Sequence, residues 1–492
     1  MKSLAWNLSP QEFANKLLDM KRMWRRSAGG SSKRRVADLV RKRSARYRRF
    51  FGYGKLPLAS RETAIDWIEA PPESVKVVII PDGETASYSK TRKDARRLLR
   101  KAFPKRDDAI VELISSRNAD ASSRKPPAVA TAQMGRRTVA RAVLLETFGA
   151  VICPGLTPEK ERLLRQAGAQ VFDNELLSLE RTSPSQGAKA SDIWHLGAMN
   201  VFSARATGLS GRGVLIGIAD TGIEPSHPEF SGKKVYFRSF TPSGRRRRDA
   251  VVRDFADHGT KVAALSAGRN CGVAPSAQIA VAAIFTKQGD GKMRASSAQI
   301  LTGLNWLARG GHGLPRPVDV INVSWGKEAE TKGLYDVIRR HSLAGILTIA
   351  AIGNDGVDGE NRHHCPAKFD IVLGVGAVDK NGATCKFSSW GRVHNLQDGW
   401  KPELVAPGED IICAQPRGED SKNGYVYDNG TSLASSLVTG SAALLIEKFP
   451  KVRGDAQALK EKLLKLTNGL GGRETIRPDR RRGAGSLDLS GI

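Results

Sequence analysis

The segment Val214-Leu215-Ile216-Gly217-Ile218-Ala219-Asp220-Thr221-Gly222 is the part of the sequence that most directly indicates the fold. Six mainly apolar residues followed by a carboxylate are typical of a strand that is buried on both faces and ends at the edge of a parallel sheet. Helical patterns separate this segment from further apolar runs at residues 279–284, 318–323, 346–351 and 371–375. The alternation predicts an α/β domain over residues 191–492, with a mostly parallel sheet covered by helices on both faces.

Four polar residues stand where such a fold places catalytic groups, at the carboxyl ends of strands and the starts of helices. Asp220 ends the first strand, His258 opens a helix, and Asn354 follows the strand that ends near residue 351. Ser432 starts an apolar helix, where unpaired backbone N–H groups favour developing negative charge. Taken singly, each residue also fits a structural role: a cap or loop acceptor for Asp220, a packed histidine for His258, a turn for Asn354 and a helix cap for Ser432.

In this order, the aspartate, histidine, asparagine and serine segments together resemble the subtilisin-like (subtilase) serine peptidases. The resemblance runs from about residue 194 to 485. It also includes Gly272-Val273-Ala274-Pro275, Ser324-Trp325-Gly326 and Ala406-Pro407-Gly408. The sequence departs from the family pattern beside the serine, where Leu433, Ser436 and Leu437 stand in place of a methionine, a proline and a histidine.

The resemblance implies a subtilisin-like fold and a serine endopeptidase that hydrolyses protein or peptide substrates. It implies that Ser432 is the nucleophile, that His258 is the general base and later the acid, and that Asp220 orients the imidazole. Asn354 and the Ser432 backbone N–H would form the oxyanion hole. An extended substrate would bind along two enzyme segments. The implied substrate-binding residues are Ser324, Trp325, Gly326, Gly291 and Gly353.

Residues 74–182 predict a separate small α+β domain of ferredoxin-like type. A strand over 75–80, a basic helix over 91–103, strands within 138–153, a helix capped by Thr157 and a strand over 169–172 make two strand, helix, strand units. The segment is similar to the inhibitory propeptide of the same family. This implies an autoinhibited precursor, with residues 176–182 in the cleft as a product-like strand and a cut within 180–190, around a linker at 183–190. A permanent accessory domain is the alternative.

Residues 1–73 predict a basic extension, helical or disordered, since residues 1–60 hold 16 basic and 3 acidic residues in a chain of net charge +28. Such a charge attracts anionic surfaces and could serve as a nucleic-acid arm, but we favour a solvated amphipathic helix or a disordered tail. The rival to an active peptidase is therefore a catalytically silent scaffold of the same fold that binds peptides or nucleic acid.

No cofactor is expected, because the sequence contains no dinucleotide fingerprint, phosphate-binding loop or EF-hand loop. No metal site is predicted, although structural calcium is common in the family. The five cysteines form no metal-binding spacing and predict reduced packing residues. The absence of a secretory signal and of a membrane-spanning apolar run favours a cytoplasmic protein without membrane contact. The run Arg245–Arg248 predicts an inserted surface loop.

Overall fold

The computed structural model describes the greater part of the chain. The described residues are 75–79, 143–145, 150–179, 185, 188–189, 191–247, 251–287, 292–328, 332–393, 399–416, 424–468 and 480–492. The predicted basic extension, the predicted helix over 91–103, Gly291 and Arg248 lie outside these ranges. Within them, no helix has the length and apolar character needed to cross a membrane.

A nine-stranded sheet forms the centre of the molecule, and its strands follow the order β19-β20-β16-β13-β12-β11-β6-β8-β7. All neighbours are parallel except the edge pair β19 and β20. The strands are β6 (Leu215–Asp220), β7 (Val235–Ser239), β8 (Gln278–Ala283), β11 (Val320–Val323), β12 (Leu347–Ala351), β13 (Leu373–Val378), β16 (Leu404–Pro407), β19 (Thr467–Asn468) and β20 (Ser486–Leu487).

The apolar runs of the sequence account for the central strands. Every residue of β6, β11, β12 and β13 is buried, as expected for strands covered on both faces. β6 lies between β11 and β8, so its carboxyl end, Asp220, reaches the middle of one sheet edge. The predicted α/β fold with a mostly parallel sheet is confirmed.

Helices cover both faces of the sheet. They are α2 (Trp194–Ala198), α3 (Val201–Ala206), α4 (His258–Ala267), α5 (Ser297–Arg309), α6 (Lys332–Leu343), α7 (Thr431–Lys448) and α8 (Ala456–Lys465), with 3₁₀ turns at Pro228–Phe230, Gly356–Asp358 and Pro450–Val452. α7 is buried from Leu433 through Ile446. A helix that is apolar and small all round packs inside the core, and this fixes its first turn at the carboxyl edge of the sheet.

A smaller antiparallel sheet precedes the large one in the chain. Its order is β2-β3-β1-β4, formed by β1 (Val75–Ile79), β2 (Val143–Leu145), β3 (Ala150–Pro154) and β4 (Gln170–Asp173), with helix α1 (Pro158–Gln166) between β3 and β4. Thr157 caps α1 through its side chain, and proline occupies the first turn, as the sequence predicts. The domain boundaries at residues 73, 182 and 190 stay predictions.

Three short sheets complete the fold. One has the order β5-β10-β9, formed by β5 (Leu176–Ser178), β9 (Thr286–Lys287) and β10 (Met293–Ser296). The others pair β14 (Gly391–Arg392) with β15 (Trp400–Lys401), and β17 (Ile411–Ala414) with β18 (Tyr425–Asp428). All five cysteines are buried and none forms a disulfide, in agreement with their predicted packing role.

Candidate active site

Asp220 and His258 lie in direct contact at the carboxyl edge of the large sheet. Nδ1 of His258 donates to Oδ1 of Asp220 at 2.8 Å. The Asp220 carboxylate is fully buried, and its Oδ1 also accepts from the backbone N–H of Thr221 at 2.6 Å. The His258 side chain remains 16% exposed. A buried carboxylate therefore fixes the Nδ1–H tautomer of the imidazole and leaves Nε2 as a proton acceptor.

Two glycines permit this contact. A Cβ on Gly222 would lie 2.2 Å from the Arg253 carbonyl oxygen, and a Cβ on Gly259 would lie 2.1 Å from the Gly222 carbonyl oxygen. Gly222 also has φ of 137°, which side chains disfavour. Only glycine lets the turn after β6 approach the first turn of α4 so closely, which brings Asp220 and His258 within hydrogen-bonding distance.

Asp254 strengthens the same junction. Its Oδ1 accepts from the Thr221 hydroxyl at 2.6 Å, and its Oδ2 accepts from the backbone N–H and the hydroxyl of Thr260, both at 2.6 Å. The Thr221 hydroxyl accepts from the backbone N–H of Gly259 at 2.8 Å. The sequence analysis missed Asp254, because nothing in its local pattern separates it from an ordinary loop aspartate.

Opposing effects set the protonation of His258. Burial alone would lower the pKa of the imidazole, but the charge of Asp220 and its hydrogen bond outweigh burial and raise that pKa above its ordinary value. The raised pKa means that Asp220 stabilises the imidazolium. This is the form that a general base must reach when it accepts a proton.

Ser432 occupies the first turn of α7, which begins at Thr431. Its hydroxyl donates to the Ser324 carbonyl oxygen at 3.0 Å rather than to His258. In the absence of substrate, catalytic hydrogen bonds are often long or differently directed. The backbone N–H groups of the first turn lie at the positive end of a long helix.

Three serine hydroxyl groups hold the Ser432 backbone through its carbonyl oxygen. The Ser432 carbonyl oxygen accepts from the side chains of Ser324 and Ser435 at 3.0 Å and of Ser436 at 2.7 Å. Asn322 donates to the Ser324 hydroxyl at 2.7 Å. Ser436, where the family has a proline, therefore adds a hydrogen bond to the nucleophile segment, while Leu433 and Leu437 are buried in the core.

Asn354 lies three residues beyond the end of β12 and contacts Thr431, the residue before Ser432. Its Oδ1 accepts from the backbone N–H and the hydroxyl of Thr431, each at 3.0 Å. A backbone N–H can only donate, so the atom facing it must be the amide oxygen, and this fixes the direction of Nδ2. Thr431 was not singled out from the sequence, although it stands directly before Ser432.

The structure describes four of the five predicted substrate-binding residues, Ser324, Trp325, Gly326 and Gly353. Ser324 lies beside Ser432, whose hydroxyl donates to its carbonyl oxygen. The Trp325 side chain is buried and donates to the Ala219 carbonyl oxygen at 2.7 Å, so only its backbone could contact a substrate. Gly353 precedes Asn354. Gly291 lies outside the described residues.

A histidine lies between two of these glycines. A Cβ on Gly326 would be 2.6 Å from the His364 Cβ, and a Cβ on Gly353 would be 3.0 Å from the His364 ring. His364 Nε2 and Asp355 Oδ2 are 2.5 Å apart. The buried imidazole thus separates the two segments predicted to border the substrate.

The chain that follows the small sheet pairs with two segments of the catalytic domain, β10 and β18. β5 pairs antiparallel with β10, and the Leu179 N–H donates to the Met293 carbonyl oxygen at 3.0 Å. Further along, Ser185 and Tyr427 exchange two backbone hydrogen bonds of 2.9 and 3.0 Å. Tyr427 is five residues before Ser432. The described ends of residues 176–185 therefore pair with β10 at one end and with β18, the strand that leads to Ser432, at the other.

Residues between β4 and β5 also contact the start of α5. Oδ1 of Asn174 accepts from the Ala298 N–H at 2.8 Å, and the Glu175 carbonyl oxygen accepts from the Ser297 N–H at 2.9 Å. The Glu175 carboxylate forms an ion pair with Lys327. These contacts supply acceptors to backbone N–H groups that a helix leaves unpaired at its first turn.

Metal binding has no candidate group in the described part of the chain. Three or more His, Cys, Asp or Glu side chains able to hold one ion do not come together there. The calcium expectation stays untested.

Comparison with known proteins identifies the catalytic domain. Residues 211–485 match the Subtilase family. The chain is 33% identical over 273 residues to "Subtilisin DY" of Bacillus licheniformis, which covers 54% of this chain and 88% of that protein. It is 31% identical over 289 residues to "Subtilisin-like protease PopC" of Myxococcus xanthus, covering 54% of this chain and 58% of that protein.

A third relative is "Subtilisin E" of Bacillus subtilis, 31% identical over 249 residues, with 49% of this chain and 58% of that protein covered. The matched region contains the strands from β6 to β19, and β20 follows directly after it. It also contains Asp220, His258, Asn354 and Ser432. The chain belongs to the subtilase family and is a subtilisin-like serine endopeptidase.

Proposed function

We propose that this endopeptidase acts through Ser432 as nucleophile, His258 as base and Asp220 as the orienting acid, and that it is made as an autoinhibited precursor. The observation that carries the proposal is the 2.8 Å contact between His258 Nδ1 and the buried Asp220 carboxylate. It lies at the same sheet edge as the first turn of α7, which carries Ser432.

The chemistry follows from these groups. The Ser432 oxygen attacks the peptide carbonyl carbon while Nε2 of His258 takes the hydroxyl proton. The carbonyl oxygen becomes an oxyanion, which accepts hydrogen bonds from Asn354 Nδ2 and the Ser432 N–H. His258 then donates the proton to the leaving amine, the C–N bond breaks, and an ester to Ser432 remains. Water, deprotonated by His258, attacks the ester carbonyl carbon, and the ester C–O bond breaks as His258 returns the proton to the Ser432 oxygen. The new carboxylic acid loses its own proton to solvent and leaves as the carboxylate.

A fluorophosphonate probe tests this assignment, because only an activated serine reacts with it. We expect the purified protein to label after processing, and Ser432→Ala to lose both labelling and peptide cleavage. Ser441→Ala is the matched control, since Ser441 is a buried serine of the same helix whose hydroxyl donates only to the Leu437 carbonyl oxygen at 3.0 Å. A folded wild-type protein that never labels would favour the silent scaffold instead.

His258→Ala should be about as damaging as Ser432→Ala, and the double variant should be little worse, because the two residues act as one unit. If the losses of activity in the two single variants were additive in the double variant, the proposed roles would be contradicted.

The precursor proposal is supported by the backbone pairing of residues 176–185 with two segments of the catalytic domain. β5 pairs with β10 as an extended substrate would pair with an enzyme strand, and Ser185 pairs with Tyr427 on the strand that leads to Ser432. A tethered segment is present at high effective concentration, so the uncut protein should be poorly active toward added substrate.

Mass spectrometry of the purified protein tests the precursor. We expect a cut within residues 180–190 in the wild type and full-length Ser432→Ala protein if the cut is self-made. The separated segment 74–182, added back, should inhibit the processed enzyme. Full activity of the intact chain, with no cut and no inhibition, would identify residues 74–182 as an accessory domain.

A further inference from the structure

A buried ion pair joins the two chain segments that carry His258 and Ser432. Lys261 lies on α4, one helical turn after His258, and its Nζ is 2.9 Å from Oδ2 of Asp428, the last residue of β18. The two side chains are only 4% and 3% exposed. Burying two charges costs much of what their attraction returns, so such a pair is weak evidence of a contribution to stability. Stability alone does not explain why this ion pair lies between the segment of His258 and the segment of Ser432.

The second oxygen of Asp428 holds the backbone that leads to the nucleophile. Its Oδ1 accepts from the Asn429 N–H at 2.8 Å. Asn429 and Gly430 connect β18 to α7, and Gly430 has φ of 152°, a conformation that favours glycine. One carboxylate thus contacts both the histidine helix and the segment that enters Ser432.

The ammonium group of Lys261 also contacts the residue before His258. Its Nζ is 3.6 Å from Oδ2 of Asp257. Asp257 has φ of 78°, which is uncommon for a residue other than glycine and persists only where its surroundings hold it. Lys261 therefore lies between a carboxylate adjacent to His258 and one four residues before Ser432.

We propose that Lys261 and Asp428 are positioning residues of the catalytic centre, whose ion pair fixes the segment carrying Ser432 against the helix carrying His258. This inference rests on the proposed roles of those two residues. The pair itself contacts no reacting atom. It acts by holding two elements that come from parts of the chain 167 residues apart.

The ion pair also acts electrostatically on His258. Beneath the larger effects of burial and of Asp220, the charge of Lys261 lowers the pKa of His258 and the charge of Asp428 raises it. Neutralising one partner should therefore move that pKa in the opposite direction from neutralising the other. The charged groups that act on the imidazole are Asp220 on β6, Lys261 on α4 and Asp428 on β18. The neighbours of the ion pair itself are Asp257 before α4 and Cys413 on β17, and Asp254 binds the first turn of α4.

The test compares Lys261→Met, Asp428→Asn and the double variant with the wild type, after processing of the full chain. kcat/KM for a peptide substrate and the rate of fluorophosphonate labelling are measured across pH. We expect kcat/KM roughly 10- to 100-fold lower in each single variant, the size of effect that follows from a misplaced catalytic group. The acid limb should move to higher pH in Lys261→Met and to lower pH in Asp428→Asn.

The double variant keeps the proposal falsifiable if a single variant fails to fold. It leaves no unpaired buried charge, so we expect it to fold, to remain slow, and to show an acid limb between those of the single variants. Double-variant protein with wild-type kcat/KM would overturn the proposal. So would folded single variants that keep the wild-type rate and acid limb.

Lys401→Met is the matched control. Lys401 is also a buried lysine, and its Nζ bonds the carbonyl oxygens of Phe369 and Val372, both at 2.7 Å, and the Glu403 carboxylate. This variant should lower the melting temperature without moving the acid limb. A wild-type protein that neither labels nor cleaves would instead overturn the proposed function. Failure of the proposed function can therefore be distinguished from failure of the ion-pair proposal.

Discussion

Thr431 fixes the side chain of Asn354 through two hydrogen bonds to a single atom. Its backbone N–H and its hydroxyl both lie 3.0 Å from Oδ1. The hydroxyl also lies 3.2 Å from the Gly353 carbonyl oxygen, so Thr431 holds the strand end as well as the amide. The amide nitrogen is set in place before any substrate binds, which is what stabilisation of a developing charge requires.

Asn354→Ala should lower kcat by a factor of about 100 to 1,000 and leave KM nearly unchanged, because its amide acts mainly in the transition state. Steady-state kinetics of the processed enzyme measure both values. Thr431→Val, which removes only the hydroxyl donor, should have a smaller effect in the same direction. A change confined to KM would remove Asn354 from the oxyanion hole.

The activity should fall with decreasing pH through a midpoint above about 6.5, the ordinary pKa of a histidine. Asp220 raises the pKa of His258, and the base must be neutral to accept a proton, so protonation abolishes activity at a higher pH than for a free imidazole. The pH profile of kcat/KM reports this value for the free enzyme. A midpoint below that of a free imidazole would contradict the raised pKa.

Asn174→Ala should weaken inhibition by the N-terminal segment about five- to tenfold, the usual effect of losing one helix-capping side chain. The Ala298 N–H at the start of α5 would lose its side-chain acceptor. Residual activity of the processed enzyme, titrated with the segment, measures the change. Arg162→Ala, an exposed site on α1, should leave inhibition unaltered.

His364→Gly should shift cleavage toward larger side chains on the acyl side of the cut bond. The ring occupies space between Gly326 and Gly353, and its removal would open that space. We expect the ratio of kcat/KM for a phenylalanine substrate to that for an alanine substrate to rise about tenfold or more. Asp355→Asn removes the charge but keeps the volume, and should preserve the original size preference.

The large sheet could be predicted because each central strand is an apolar run within its own short segment of sequence, such as the run that ends at Asp220. The same holds for the Thr157 cap of α1. Contacts between distant segments could not be predicted in this way. Lys261 and Asp428 each stand beside a recognisable motif, but nothing in a lysine after His258 or an aspartate before Ser432 specifies that they meet. The buried state of the Trp325 side chain likewise depends on Ala219, far away in the chain.

The pairing of β10 with both β5 and β9 has a consequence for the kind of protein that can be cut. Once the segment containing β5 leaves, one edge of β10 exposes backbone donors and acceptors that only another extended chain can match. A helix or a strand already paired within a folded sheet has no free backbone groups to offer. On the proposed function, the processed enzyme should therefore cut casein-like or denatured chains and exposed tails rapidly, while compact native domains survive until they open locally, so that the stability of a target governs its lifetime.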